Sequence, residues 1–262
     1  MATDDWAQWH TAHEQQLAAP HGFLAITSLN FLTTTPQRFP DAPGAWSTGP
    51  AGVVVALDDG ETVTVDGVEK TGTVTLGVIA EREGIDVLAG DAVLEVAKRG
   101  GFDIVRPRHP AHALREQFHG TPAYEPDEKW VLSGRFVPFE APRDVTVGAA
   151  VEGLEHVYES PGQVEFEALG TPLALTVFNG RSPGSFFALF TDETSGVTTY
   201  AANRSLAIDA PTADGTVTLD FTRATNLPCA YTDFATCPLP PAENRLPIAV
   251  EAGEKIPYER SA

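Results

Sequence analysis

The chain has only two cysteines in 262 residues, Cys229 and Cys237, which is too few for the disulfide framework of a small secreted protein. We expect both to be reduced thiols, although a turn that brought their Cβ atoms together would permit a disulfide. Their separation is wider than the two- to four-residue spacing of a zinc knuckle, and no histidine follows them in the sequence. The sequence therefore predicts no metal site and no cofactor.

Basic residues are scarce as well. Lys and Arg total 17 against 36 Asp and Glu, which gives a formal net charge of -19. This charge disfavours bare nucleic acid and anionic membranes as partners. An acidic excess with few lysines is typical of proteins that stay hydrated in concentrated salt, so we predict a halophilic host. An ordinary acidic protein of a high-GC bacterium is the alternative, because Arg replaces Lys there for codon reasons. The lysines are Lys70, Lys98, Lys129 and Lys255.

Long apolar runs and familiar catalytic motifs are also missing. No segment approaches the roughly 18 to 20 apolar residues that span a bilayer, and the opening MATDDWAQWH is acidic where a secretory signal is basic and then apolar. We therefore expect a cytoplasmic protein. The sequence has no P-loop, no dinucleotide fingerprint after a strand, no G-x-S-x-G and no H-E-x-x-H, which disfavours the enzyme classes that carry them.

The first recognisable element is an amphipathic helix over residues 4–18. Trp6, Trp9, His13 and Leu17 recur there at three- to four-residue spacing and define one face. We expect this helical segment to pack on the body of the protein.

Short β-rich runs separated by Gly and Asp turns dominate the rest of the chain. A Pro- and His-rich connection at 106–126 divides them into two series, and the run GVTTYAA at 196–202 is assigned to the second. We predict an all-β, mostly antiparallel fold with two packed sandwich- or barrel-like units and an N-terminal helical segment. The predicted divisions are a helical appendage at 1–34, a first β unit with its crossover at 35–126, and a second β unit with a Pro-rich tail at 127–262.

The run FTDETSGVTTYAANRSL followed by DGTVTLDFTRATNLPCAYTDFATCPLPPAENRLPIAVEAGEK resembles the C-terminal signature of the family known as domain of unknown function 1684. HGFLAITSLNFL, AKRGGFDIVRPRHP and QFHGTPAYEPDEKWVLSGRFVPF are similar to its opening and middle blocks, so the resemblance covers nearly the whole chain. Relatives usually carry Asn at the position of Thr222 and Pro at that of Leu227, so no asparagine role is carried over. The resemblance implies no activity, because the family is uncharacterised.

Polar residues of the second β series and the tail predict a binding site for a small anionic molecule. The planar fork of Arg suits carboxylate or phosphate, and convergent polar groups on an apolar scaffold are usual in such sites. A hairpin turn at Asp192 and internal salt bridges are the alternatives for these residues. In the binding hypothesis Arg204, Arg223 and Lys255 engage the anion, Tyr200 and Asn226 orient it, and Asp192, Asp220 and Glu254 hold the cations.

Two further hypotheses use the same residues. In the first, the protein is a hydrolase- or lyase-type enzyme with Asp220 or Glu254 as acid or base and Cys229 as a candidate nucleophile. In the second, the tail is a structural clasp that locks the two β units together. A strongly shifted pKa at a carboxylate or thiol would favour the enzyme.

Overall fold

The computed structural model of the protein describes residues 2–260, with side chains from residue 5 onward. It is built mostly from antiparallel strands, which confirms the predicted all-β class with an N-terminal helix. The first helix, α1 (Ala2–Leu17), covers most of the predicted helical span. A second helix, α2 (Ala113–Glu116), is one turn long. Among the described residues, no helix is both long and apolar enough to cross a bilayer.

Contacts between residues divide the chain into two compact units, which are described separately below. One contains residues 14–119, and the other contains residues 1–13 and 120–262. We call them the middle unit and the C-terminal unit. The divisions predicted from turns and prolines at 34/35 and 126/127 stay predictions.

The middle unit contains two antiparallel sheets. Its strands are β1 (Asn30–Phe31), β2 (Gln37–Phe39), β3 (Ala42–Gly49), β4 (Gly52–Ala56), β5 (Val63–Val65), β6 (Val68–Lys70), β7 (Thr73–Gly77), β8 (Gly84–Ala89), β9 (Ala92–Arg99) and β10 (Phe102–Arg108). The six-stranded sheet has the order β1-β10-β9-β8-β5-β6, and the four-stranded sheet has the order β2-β3-β4-β7.

Side-chain alternation explains how these strands bury a core. Alternate positions of β3 are buried, and Trp46 is fully inaccessible among apolar side chains of both sheets. In β9 the first six positions are all buried, which is typical of a strand covered on both faces. One of those six residues is Glu95, so a carboxylate lies within the apolar interior.

Three arginines neutralise Glu95. Its carboxylate oxygens lie 2.8 Å from the guanidinium nitrogens of Arg99 and Arg106, and Arg108 makes a further ion pair. Burial alone would raise the pKa of Glu95, but the charges and hydrogen bonds of Arg106 and Arg108 lower it to about 2. The ionised carboxylate is therefore part of the folded core.

Replacing the carboxylate should destabilise the middle unit. Glu95→Gln leaves buried guanidinium groups without a counter-charge, so we expect a loss of about 3–5 kcal/mol at neutral pH. Because the folded-state pKa lies below the ordinary 4.5, this stabilisation is present above that pH and is lost as the pH falls towards about 2. The difference between wild type and variant, measured by amide exchange in β9 and β10, should shrink over that window. A difference that stays constant would contradict this assignment.

The C-terminal unit is organised around one seven-stranded antiparallel sheet. Its strands are β11 (Val131–Gly148), β12 (Glu155–Ala168), β13 (Thr171–Asn179), β14 (Phe186–Phe190), β15 (Arg204–Ile208), β16 (Thr216–Asp220) and β17 (Thr225–Asn226). Their order is β16-β11-β12-β13-β14-β15-β17.

The tail after Phe221 contributes to the core of this unit. It is irregular, as predicted, apart from the two-residue strand β17 and short 3-10 turns. Phe221 packs edge-on against Phe190 of β14, with ring centroids 5.4 Å apart. Leu246 and Val250 are buried in the same cluster as the sheet side chains. The tail therefore covers one side of the apolar core.

The predicted strand at 196–202 is wrong. This run consists of turns and bends with one isolated bridge at Thr199, and Gly196 has a positive φ of 80°, which glycine tolerates because it has no Cβ. The hydroxyl of Thr194 hydrogen-bonds to that of Thr199 at 2.8 Å. Such local side-chain hydrogen bonds compete with strand pairing, so the β-branched residues in this run do not form a ladder.

Candidate functional site

Arg204, the first residue of β15, has its terminal guanidinium nitrogens engaged by protein groups. Nη2 lies 3.1 Å from a carboxylate oxygen of Asp192 and donates to the carbonyl of Val250 at 3.0 Å. Nη1 donates to the carbonyl of Ala252. The side chain of Arg204 is 1% exposed and that of Asp192 is 0% exposed. This pairing matches the internal salt bridge that was the alternative to an anion site.

Asp192 is the centre of the same network. Its carboxylate accepts hydrogen bonds from the hydroxyls of Thr194 and Ser195, at 2.8 and 3.0 Å, and from the backbone N–H of Val250 at 2.7 Å. Asp192 and Arg204 therefore bind the tail at the same place, one through an N–H and the other through carbonyls. We call this set of contacts the tail clasp.

Removing Arg204 should destabilise the protein far more than removing Arg223, if Arg204 has a structural role. Arg204→Ala leaves the buried carboxylate of Asp192 without its counter-charge, and we expect a loss of about 3–5 kcal/mol in the free energy of unfolding. The matched control, Arg223→Ala, removes a half-exposed pair and should cost about 1 kcal/mol or less. Urea unfolding followed by circular dichroism measures both. Equal losses in the two variants would contradict the tail clasp.

Asp220 and Arg223 form a second pair at the surface. Arg223 Nε lies 3.2 Å from a carboxylate oxygen of Asp220, and its Nη2 pairs with Asp5 of α1. The guanidinium carbon also lies 5.3 Å from the ring centroid of Trp9. These contacts attach α1 to the C-terminal unit, and they place Asp220 and Arg223 apart from the tail clasp.

The remaining predicted ligand-binding residues lie in different surroundings. Lys255 Nζ lies 4.3 Å from the ring centroid of Tyr124, and Tyr200 packs against the buried Cys229. Asn226 Nδ2 donates to the carbonyl of Lys255 at 2.8 Å, and its N–H donates to Glu254 Oε2 at 2.6 Å. The structure thus brings Asn226 to Glu254 and does not gather Arg204, Arg223 and Lys255 around one ligand.

Glu254 faces two histidines of α1. Its Oε1 lies 3.6 Å from His10 Nε2 and 3.4 Å from His13 Nε2. The Glu254 side chain is 1% exposed, whereas those of His10 and His13 are 12% and 22% exposed. Both separations are longer than a usual hydrogen bond. Within residues 2–260, Oε1 of Glu254 has no hydrogen-bond partner.

Helical spacing and aromatic stacking place the two imidazoles. His10 and His13 are three residues apart and therefore lie on one face of α1. His10 stacks on Trp6 and His13 stacks on Trp9, with interplanar angles of 10° and 9°. Sequence reasoning used Trp6, Trp9 and His13 only as packing residues and did not consider either histidine as a functional group. The i, i+3 pair of histidines was the signal that could have identified them.

The other oxygen of Glu254 is held by the tail. Oε2 accepts the N–H of Asn226, and the hydroxyl of Tyr231 approaches it at 3.5 Å. That hydroxyl also lies 2.8 Å from Thr121 Oγ1. Gly253 permits this arrangement because its φ is 73° and an added Cβ would lie 2.4 Å from the carbonyl oxygen of Ala224.

The pKa of Glu254 reflects these neighbours. Burial acts to raise it, but His10, His13 and the N–H of Asn226 outweigh burial, so the pKa is lower than usual. Burial and the charge of Glu254 raise the pKa of Tyr231 well above its ordinary value, so its hydroxyl stays protonated. The arrangement is a buried carboxylate next to two titratable rings, which is suited to proton transfer. We call His10, His13, Glu254, Asn226 and Tyr231 the Glu254 cluster.

Cys229 lies in a separate apolar cluster of the C-terminal unit. It is 3% exposed, packs with Ala235 and Cys237, and is not disulfide-bonded.

The described residues contain no group of three or more His, Cys, Asp or Glu side chains arranged to hold a metal ion.

A cavity of about 350 Å³ lies beside α1 in the C-terminal unit. Trp6, Thr222 and the predicted residues Asp220 and Arg223 line it. Trp6 connects the cavity to the Glu254 cluster, because its ring stacks on His10 with centroids 4.8 Å apart. The other lining residues are Asp5, Pro126, Asp127, Glu128 and Val131.

Comparison with known proteins gives one family and a small set of similar structures. The family described as "Protein of unknown function (DUF1684)" matches residues 116–255. Five chains of solved structure match, among them the solution NMR structure of an uncharacterized protein of Haloarcula marismortui. That protein is 29% identical, the alignment covers 54% of this chain and 78% of that chain, and the TM-score is 0.45. No curated protein matches.

Proposed function

The chain belongs to the DUF1684 family of proteins of unknown function, so we propose its function from its own side chains: an acid–base site of hydrolase or lyase type that acts on a small molecule. The observation that carries the proposal is the Glu254 cluster. The carboxylate of Glu254 is buried, one of its oxygens is fixed by Asn226, and the other faces two imidazoles. These neighbours favour its ionised form, and an ionised carboxylate beside imidazole is an arrangement that catalytic sites use.

The exposures of the side chains divide the roles within the cluster. Glu254 is inaccessible, and the side chain of His13 is more exposed than that of His10. In the proposal His13 contacts the substrate and takes or gives its proton. Glu254 acts through His13 as a positioning residue, since its negative charge stabilises the imidazolium that forms. Asn226 and Tyr231 hold the carboxylate in place from the other side.

The proposed binding site for the substrate is the cavity lined by Trp6, Asp220 and Arg223. Neither His10 nor His13 lines it, so in the proposal the substrate extends beyond the cavity along the face of α1 on which these histidines stack with Trp6 and Trp9. About 350 Å³ lies within the range of small-molecule sites. Its carboxylates outnumber its single guanidinium, which favours cationic or hydroxyl-bearing groups over the anion predicted from the sequence. Arg223 remains the residue that can engage a negative group of the ligand.

Binding without chemistry is the second candidate function. The same cavity supports it, because a ligand can occupy the site without reaching His13. The structural hypothesis is supported by the tail clasp, in which both terminal guanidinium nitrogens of Arg204 and the carboxylate of Asp192 bind protein groups. A tail clasp and a ligand site in one unit are compatible, since they use different residues.

The function test combines ligand binding with turnover. Purified protein in high salt is screened by thermal shift against small esters, amides, hydroxy acids and amines, and each stabilising compound is then assayed for conversion. We expect at least one compound to raise the melting temperature and to be converted, because binding to the native state stabilises it by mass action. Glu254→Gln and His13→Asn should lower kcat/KM by about 10²- to 10⁴-fold while keeping the thermal shift.

Glu251→Gln is the matched control, because Glu251 is an exposed glutamate of the same tail. It should leave both the thermal shift and the turnover unchanged. A compound that binds and is not converted would favour the binding function. Turnover that survives Glu254→Gln would contradict the acid–base proposal.

We also propose that the protein works in the cytoplasm of a halophilic cell. The net charge of -19 and the four lysines support this, as does the mutual repulsion of acidic side chains that only concentrated salt screens fully. Neither nucleic acid nor an anionic membrane suits this charge as a partner. The melting temperature should rise between about 0.2 M and about 3 M potassium chloride. A melting temperature that stays constant or falls as the salt concentration rises would contradict a halophilic origin.

A further inference from the structure

Cys229 and Cys237 are in direct contact although they are not bonded to each other. The backbone N–H of Cys229 donates to Cys237 Sγ at 3.3 Å. Their exposed fractions are 3% and 7%, and Ala235, Leu227 and Tyr200 pack around them. Seven residues separate the two cysteines, so a bond between them would close a short loop.

The surroundings of Cys229 favour its thiolate. The hydrogen bond with the Cys237 side chain lowers the pKa of Cys229, and burial opposes this effect. The positive charge of Arg260 also lowers it, and Arg260 Nη2 lies 3.5 Å from the carbonyl oxygen of Cys229. A thiolate is the nucleophilic form of cysteine, so Cys229 is the sulfur expected to react first.

We propose that Cys229 and Cys237 are a redox-active dithiol that hydrogen peroxide converts to an intramolecular disulfide. The Cys229 thiolate attacks one peroxide oxygen, the O–O bond breaks, and the other oxygen leaves as water after protonation. Cys229 is then a sulfenic acid. The Cys237 sulfur attacks the Cys229 sulfur and expels its hydroxyl as a second water. Two thiols have lost two electrons and two protons, and the peroxide has been reduced to two waters.

The position of the dithiol in the tail links it to the Glu254 cluster. Cys229 lies in the 3-10 turn Pro228–Ala230, between Asn226 and Tyr231, and both of these contact Glu254 Oε2. Closing a disulfide pulls on this turn, because the sulfurs must approach to about 2.05 Å. A pull on this turn would act on Asn226 and Tyr231, the two residues that contact Glu254 Oε2. Any effect of this on activity rests on the proposed function, whereas disulfide formation itself does not.

The test is an intact-mass measurement on the folded chain. The protein is treated with hydrogen peroxide at neutral pH in high salt, the peroxide is removed, and remaining thiols are alkylated in denaturant. We expect a species about 2 Da lighter than the reduced chain that takes up no alkyl group, and dithiothreitol should return both thiols. The chain has no other cysteine, so the assignment is unambiguous. Oxidation of its single methionine is recognised because dithiothreitol does not reverse it.

Single substitutions test the order of the steps. Cys237→Ser should stop at a Cys229 sulfenic acid, which dimedone traps, and should form no disulfide. Cys229→Ser should react more slowly than Cys237→Ser, because it lacks the thiol whose pKa the surroundings lower. Two alkylated thiols after peroxide treatment of wild type, oxygen adducts without loss of 2 Da, or disulfide-linked dimers alone would each overturn the proposal. None of these readouts depends on a substrate, so they do not test the acid–base function.

Discussion

The buried ion pair of Arg204 and Asp192 is the constraint on which the C-terminal unit depends. The guanidinium also donates to the carbonyls of Val250 and Ala252, so one side chain joins a strand, a loop and the tail. Burying these charges is costly unless each is paired and hydrogen-bonded, and both are. Glu254 follows Ala252 by two residues, so the tail clasp also determines where that carboxylate lies.

Each unit contains a buried glutamate, Glu95 or Glu254, whose carboxylate faces basic side chains. The type of basic side chain determines what the carboxylate can do. Glu95 is surrounded by arginines, whose guanidinium groups keep their charge at every physiological pH. That arrangement is a permanent ion cluster and serves stability. Glu254 faces His10 and His13, and imidazole is a side chain that can accept and donate a proton. The Glu254 contacts therefore carry our acid–base proposal, whereas those of Glu95 belong to the packing of the middle unit.

Much of the fold could be predicted from the sequence, because alternation and helical spacing are local. The strand predicted at 196–202 was wrong, because the β propensity of this run does not reflect the hydroxyl hydrogen bond that holds it in a turn. The candidate site was harder to predict. Scarce arginines in an acidic chain suggested an anion site, but Arg204 is occupied by protein groups. Residue type indicates what a side chain can bind and does not indicate whether the fold already satisfies it.

The sequence by itself determined the fold class, the amphipathic helix, the irregular tail and the family. These follow from the periods of apolar residues, from proline and glycine, and from long motifs that are read without coordinates. Only the tertiary structure decided that His10 and His13 meet Glu254 and that Cys229 meets Cys237. The histidines and Glu254 lie far apart in the chain, and their contact depends on how the sheet, the tail and α1 pack together. No local sequence pattern encodes this contact, because it depends on many other long-range contacts of the fold.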